Sequence, residues 1–283
     1  MKVAFQGVRG AYSETALKAH FGPAVEAAGF PFSEQVFEAV EAGRADAGFV
    51  PVENSIAGPV GVNMDLLLER DVYAVAEAYL RVEHCLLAPP GTRLESVSEV
   101  LSHPVALAQC RAFLEARGLK AVPEYDTAGA AELVARRREA GQAAIAGRDC
   151  AAAYGLDVLA EGIQTHADNF TRFLAFTRPD AAPAGLKREK TSLAFAAPHR
   201  PGALLHCLER FAAHGVNLTR LESRPVAENP FEYVFFVDFL GGSDAPEAAQ
   251  ALKELKTEAR RLKVIGSYPR ADVPSPSSRD RRP

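Results

Sequence analysis

Cysteine is sparse in this sequence, and its spacing excludes two roles at once. The four cysteines among 283 residues, Cys85, Cys110, Cys150 and Cys207, stand far apart with no C-x-x-C pair. That pattern fits small buried hydrophobes in a reducing compartment, not a disulfide framework or a zinc site. His84, His103 and His166 are not at metal-ligand spacing from one another either, and each reads as a surface or core histidine. Positive charge is not in excess: 32 Lys and Arg face 36 Asp and Glu, for a net charge of −4. With no basic block before the last few residues, nucleic acid is a poor fit as partner. No apolar run reaches membrane-spanning length, and residues 1–5 enter a strand without a signal-peptide h-region. A cytoplasmic protein is expected. Gly7 and Gly10 do not complete G-x-G-x-x-G, and no Walker-type lysine follows, which argues against a nucleotide loop.

What is present is apolar and alternating. At 48% hydrophobic the chain can bury one substantial core or two. An apolar run at 3–7 closes on Gly7, and a helix capped by Ser13 follows. Residues 37–42 read as helix, 47–52 as buried strand and 64–69 as helix. A second set starts near 82–88, with helices over 106–117 and 128–138 and a strand at 143–146. Strands alternating with helices predict an α/β architecture, here as two lobes facing a cleft. A Pro/Ala-rich stretch at 179–187 reads as a linker. Beyond it come a strand at 191–196, a helix at 202–214, strands at 216–223 and 233–239, a helix at 246–262 and a strand at 264–268. That order, βαββαβ, is ferredoxin-like. The Pro/Ser/Arg-rich tail from 272 reads as disordered.

Chemistry gathers where strands give way to polar residues. Asp168-Asn169-Phe170-Thr171-Arg172-Phe173-Leu174 offers an amide, a hydroxyl and a fixed cation within four residues. Either it grips an oxygen-rich anion or it is a capped strand start. Glu53-Asn54-Ser55 follows directly on a buried strand, with Gly58 and Gly61 permitting close backbone approach. Ser13 and Thr127 stand at helix starts, where they can cap the helix or contact a ligand.

Together these segments resemble prephenate dehydratases. The resemblance rests on Val50-Pro51-Val52-Glu53-Asn54-Ser55, on Ser102-His103-Pro104 with Ala106-Leu107-Ala108-Gln109-Cys110, on Thr127-Ala128, and on Asn169-Phe170-Thr171-Arg172-Phe173. Past the linker, Pro201-Gly202-Ala203-Leu204-Leu205 and Glu222-Ser223-Arg224-Pro225 look like the two phenylalanine-binding motifs of an ACT regulatory domain. Ala11 and Val105 depart from the family's usual residues.

The resemblance implies a two-lobed α/β catalytic domain with a cleft, periplasmic-binding-protein-like, plus a C-terminal ferredoxin-like ACT domain. It places the catalytic domain at 1–178, with lobes of about 1–80 plus 160–178 and 81–159. A linker at 179–189, the ACT domain at 190–269 and a disordered tail at 270–283 complete the chain. With no chorismate mutase segment before Met1, it implies the monofunctional form.

The implied activity is decarboxylative dehydration of prephenate to phenylpyruvate, without cofactor or metal. Thr171 is the implied donor to the departing hydroxyl. Asn54, Ser55, Thr127, Arg172, Phe173 and Ser13 are the implied substrate contacts, with Arg172 either pairing with a carboxylate or held in an internal ion pair. Gly202, Ala203, Leu204, Leu205, Asn217, Glu222, Ser223, Arg224 and Pro225 are implied to bind L-phenylalanine across a homodimer or homotetramer. Three alternatives stay open: an arogenate dehydratase, a solute-binding protein, and an amino acid sensor without catalysis.

Overall fold

The computed structural model describes residues 1–226 and 229–273. It falls into two compact units, Met1–Asn63 with Ala78–Phe173, and Met64–Glu77 with Leu174–Ala271. Most of the tail expected to be disordered, 274–283, lies outside the described residues.

The chain begins with β1 (Lys2–Gln6), α1 (Tyr12–Phe21), β2 (Glu26–Phe30), α2 (Ser33–Glu41), β3 (Ala47–Asn54) and β4 (Gly58–Pro59). Helix α3 (Gly61–Glu69) and strand β5 (Tyr73–Arg81) follow. Next come β6 (Cys85–Ala88), β7 (Glu99–Ser102), α4 (Pro104–Gln109), α5 (Arg111–Ala116) and β8 (Lys120–Pro123). Then α6 (Thr127–Arg137), β9 (Gln142–Ala146), α7 (Asp149–Tyr154), β10 (Asp157–Glu161) and β11 (Phe170–Thr177) complete the first part. The last part runs β12 (Lys190–Ala196), α8 (Ala203–Ala213), β13 (Leu218–Val226), β14 (Asn229–Leu240), α9 (Pro246–Glu258) and β15 (Arg261–Tyr268).

The first unit carries two lobes, each built on its own sheet. One sheet includes the run β11-β3-β1-β2, with β1 parallel to both neighbours. Its strands read as near-continuous apolar runs because helices cover a parallel sheet; in β3, Phe49, Val50 and Val52 are buried. The other sheet is ordered β10-β6-β9-β7-β8. Its core joins Leu86, Val100, Leu107, Leu114 and Ile145. The run expected as one helix over 106–117 is two helices, broken at Cys110 with φ −102° and ψ 12°. That break leaves Gln109 at the end of α4, with its backbone oxygen accepting from Thr165 N at 2.8 Å.

The second unit contains the βαββαβ order, with strands arranged β13-β14-β12-β15. Helices α8 and α9 bury Phe211 and Leu255 against Leu193, Phe195, Val237 and Phe239. The helix expected to run to Leu262 stops at Glu258, because Arg261 and Leu262 pair with Ala196 and Phe195 in β15. Ladder bonds outweigh modest helix propensity there. Gly266 pairs with Ala74 so closely that a Cβ would meet the Ala74 oxygen at 2.2 Å.

Candidate active site

Strand β3 ends in an amide that turns back on its own backbone. Asn54 Oδ1 accepts from Ile56 N at 3.0 Å and Ala57 N at 2.8 Å, the geometry of an Asx turn. Its Nδ2 faces the start of β11. There it donates toward Asn169 Oδ1 at 2.7 Å, Thr171 Oγ1 at 3.0 Å and Phe170 O at 3.2 Å. Ser55 stitches the same two segments: its N donates to Phe170 O at 2.8 Å, and its Oγ accepts from Phe170 N at 2.9 Å. Two stretches more than a hundred residues apart thus meet through side chain and backbone.

The contacts continue inward. Asn169 Nδ2 donates to Gln109 Oε1 at 3.0 Å, and His84 Nε2 lies 2.7 Å from the same oxygen. Tyr12 OH is 2.8 Å from His84 Nδ1 and 2.8 Å from Glu83 O. Asn169 and His84 are buried. Burial pulls the His84 pKa below its ordinary value, opposed in part by the bond to Gln109. Burial likewise drives the Tyr12 phenol well above its ordinary value. Both groups are neutral near pH 7 on this account. All four cysteines are free and buried, and burial pushes Cys85 up to about 11 and Cys110 and Cys150 up to about 12. Thiols held there are not nucleophiles.

A cavity of about 640 Å³ adjoins this network, with Ile56, Ala57, Val105, Gln109, Thr165 and His166 in its lining. It lies between the loop after β3 and helices α4 and α5. Thr171 Oγ1 accepts a hydrogen bond from Asn54, which occupies an oxygen lone pair and leaves the hydroxyl proton to be offered elsewhere.

Other expected contacts stand apart from this cluster. Arg172 is 5% exposed, and its Nη1 is 3.9 Å from Glu53 Oε2. Phe173, expected at substrate, is instead a core residue stacked on Phe49, with ring centroids 5.0 Å apart and planes at 7°. The resemblance implied a substrate contact there, but from Arg172 onward both faces of β11 are buried. Ser13 is not the cap of α1; Ala11 holds that position without a side-chain bond. Thr127 is the first residue of α6, and Asp126 caps it through a 2.6 Å bond from Gly129 N. Among the described residues no group of three or more His, Cys, Asp or Glu is placed to hold a metal ion. No described helix is long and apolar enough to cross a membrane.

The family model for prephenate dehydratase matches residues 3–181, and that for the ACT domain matches 191–257. The chain belongs to the prephenate dehydratase family. Its members are hydro-lyases of aromatic amino acid biosynthesis. This dehydratase is 43% identical to the Arabidopsis thaliana chloroplastic arogenate dehydratase/prephenate dehydratase 2, over 95% of the chain and 73% of that protein. Among solved structures it is similar to the Arthrobacter aurescens prephenate dehydratase in complex with L-Phe, at 33% identity and a TM-score of 0.88. That match covers 98% of this chain and 92% of the other. It is also similar to GqqA, described as a novel type of quorum quenching acylase, at 36% identity and a TM-score of 0.86. There the match covers 96% and 98% of the two chains.

In the ACT domain of this dehydratase, Gly202 caps α8 from a left-handed conformation, φ 78°, which glycine adopts without strain. A cavity of about 370 Å³ beside it is lined by Pro201, Ala203, Leu204 and Tyr233 among others. Leu205 is exposed, and Asn217 accepts from Leu240 N at 3.1 Å through its backbone. Glu222 bonds Arg220, while Arg224 grips Asp65 with both arms, at 3.0 and 2.7 Å. Ser223 and Pro225 are exposed on β13.

Tyr12, His84 and Gln109 belong to the network, yet were not expected in a site. Gln109 stood within a motif that carried the resemblance. Tyr12 stood beside Ser13 in the segment after Gly10 without a role of its own, and for His84, 72 positions further on, no local pattern pointed to a site.

Proposed function

We propose that this dehydratase converts prephenate to phenylpyruvate, carbon dioxide and water, with Thr171 as its catalytic residue. The bond between the ring and its carboxylate breaks, and the electron pair restores aromaticity as the C4–oxygen bond breaks. The departing hydroxide takes up a proton from solvent and leaves as water. A threonine hydroxyl is too weak an acid to surrender its proton unaided. Thr171 donates instead a hydrogen bond that strengthens as negative charge builds on the leaving oxygen.

The observation that carries this reading is the 3.0 Å bond from Asn54 to Thr171 Oγ1, which commits the oxygen as acceptor and frees its proton. Asn54 and Ser55 hold the β3 and β11 ends in register around the substrate. Ser13 and Thr127, each in the first turn of a helix, supply contacts to the substrate carboxylates where the helix dipole favours negative charge. Arg172, buried beside Glu53, serves the segment internally.

The reading extends to the domains: catalysis in 1–178, a linker at 179–189 and an ACT domain at 190–269 that binds L-phenylalanine. The Arthrobacter aurescens relative, described with L-Phe, supports it. So does the cavity at the Gly202 helix entry. Gly202 to Leu205, Asn217 and Glu222 to Pro225 form the effector site at a dimer or tetramer interface. Four buried thiols fit a reducing compartment, here assigned as the cytoplasm.

The test is turnover of purified protein on prephenate, followed by phenylpyruvate absorbance, with arogenate in parallel and with and without phenylalanine. Prephenate turnover suppressed by phenylalanine supports both parts, at a coupling of about 5–150-fold in affinity. Turnover of arogenate alone moves the substrate to the amino acid. A rate unmoved by phenylalanine removes the regulation.

A further inference from the structure

Amide side chains have two ends alike in shape and opposite in role, one accepting and one donating hydrogen bonds. Backbone N–H groups carry no such ambiguity. Ile56 N and Ala57 N both point at one end of Asn54, so that end is the oxygen. The other end is therefore NH2, and the Asn169 atom 2.7 Å from it must be oxygen. Asn169 then presents its NH2 to Gln109 at 3.0 Å, and Gln109 answers with its oxygen. His84 Nε2, 2.7 Å from that oxygen, must carry a proton. In a neutral ring Nδ1 is then a bare acceptor, and it shares the single proton of Tyr12 OH, 2.8 Å away, with Glu83 O at 2.8 Å. Two backbone N–H groups fix the direction of each bond from Asn54 to the His84 Nε2–H.

We propose that Tyr12 and His84 are positioning residues, the far end of a one-way hydrogen-bond relay through Gln109, Asn169 and Asn54 that keeps the Thr171 hydroxyl proton turned toward substrate. The proposal rests on the Thr171 reading above. Asn54, oriented by Ile56 N and Ala57 N, donates squarely to Thr171 Oγ1 while Asn169 presents its oxygen; an NH2 in that place would push the Asn54 amide off its line to Thr171. Asn169 does so only while Gln109 takes the Asn169 NH2. The His84 Nε2–H holds Gln109 in that orientation, since an amide rotated by half a turn would set NH2 against N–H. His84 is 2% exposed and Asn169 0%, so bulk water does not replace a missing member. Burial also keeps the ring neutral, which preserves Nδ1 as acceptor for Tyr12. The relay is clamped at both ends: Ile56 and Ala57 at one, His84 with Tyr12 at the other.

The experiment uses the full chain labelled with 15N-histidine and a long-range 1H–15N correlation at neutral pH. The expected pattern for His84 is protonated Nε2 and unprotonated Nδ1. Gln109→Leu removes the acceptor and should release the ring toward the Nδ1–H form. An Nδ1–H or doubly protonated His84 in the wild type would overturn the proposal, and so would a tautomer unmoved by Gln109→Leu. Kinetics give the second arm. His84→Leu should lower kcat by about tenfold with KM changed less than about twofold, the scale of one misdirected hydrogen bond. His84→Gln, which again places an N–H against Gln109, should recover most of it. Equal kcat losses in the two variants at wild-type stability would reduce His84 to a packing residue. The tautomer needs no substrate, so failure of the Thr171 reading and failure of the relay are separately visible.

Discussion

Replacing Asn54 by aspartate tests the site harder than truncation, because it changes hydrogen-bonding direction and almost nothing in shape. The Oδ1 end keeps its bonds from Ile56 N and Ala57 N. The NH2 end becomes an oxygen facing Asn169 Oδ1, Thr171 Oγ1 and Phe170 O at 2.7, 3.0 and 3.2 Å. If the neighbours stay put, the two N–H donors shared among these acceptors are lost at about 1 kcal/mol each and an oxygen is set against oxygen, so the variant unfolds about 3 kcal/mol more easily. A cheaper response exists. Asn169 and Gln109 rotate their amides, His84 moves its proton to Nδ1, and Tyr12 accepts from it while donating to Glu83 O. Nearly every bond is then recovered in reverse, and the stability cost falls to about 1 kcal/mol or less. Thr171 must now donate to the new carboxylate, which turns its proton away from substrate. The expected outcome for Asn54→Asp is therefore near-wild-type urea unfolding, kcat lower by about 10²–10³, and a switched His84 tautomer. Repulsion between the added charge and a dianionic substrate would act chiefly on KM, so separating kcat from KM keeps the two causes apart. A kcat within about fivefold of wild type, or a loss of about 3 kcal/mol with the tautomer unchanged, would refute the reasoning.

Four further outcomes follow from the same structure. Thr171→Ala should cost about 10²–10³ in kcat, whereas Thr171→Ser keeps the hydroxyl and should retain much more; equal losses with the fold intact would end the donor role. Gly266→Val should destabilise the second unit by more than about 3 kcal/mol, because a Cβ at Gly266 would meet the Ala74 oxygen at 2.2 Å; calorimetry reads it directly. Lys190→Met should cost about 3–5 kcal/mol in chemical unfolding, since it takes the ammonium 2.8 Å from the buried Glu77 carboxylate. The lowered His84 pKa makes the unfolded chain bind the extra proton first. Its contribution to stability is therefore complete above about pH 6.5 and declines as pH falls from there toward the folded value, by up to about 1.4 kcal/mol per unit. His84→Leu should flatten that part of the pH–stability curve.

The order of strands and helices was legible because apolar periodicity survives without knowledge of partners. Its boundaries were less so: α9 stops at Glu258, not Leu262, for a reason held in the pairing of Arg261 with Ala196. The Asn54 and Thr171 segments stood out because polar residues abutted strands that were otherwise apolar. Phe173 misled, since its place in a motif does not say whether its side chain faces substrate or the core. Tyr12 and His84 were out of reach for a deeper cause. Their meeting is a product of topology, and His84 alone looked like any core histidine. Bond direction was further still from view, since it depends on two backbone N–H groups at Ile56 and Ala57.

The ties around Asn54 also bear on how the enzyme ages. An asparagine is lost over time when the next peptide nitrogen attacks its side-chain carbon and ammonia departs. Here that nitrogen, Ser55 N, is bound to Phe170 O at 2.8 Å, and both ends of the Asn54 amide are engaged. The nucleophile is turned from its target for as long as β3 and β11 stay joined. Folded enzyme should therefore resist deamidation at this Asn-Ser pair through long storage, while a denatured chain should accumulate isoaspartate and aspartate and refold with much reduced activity.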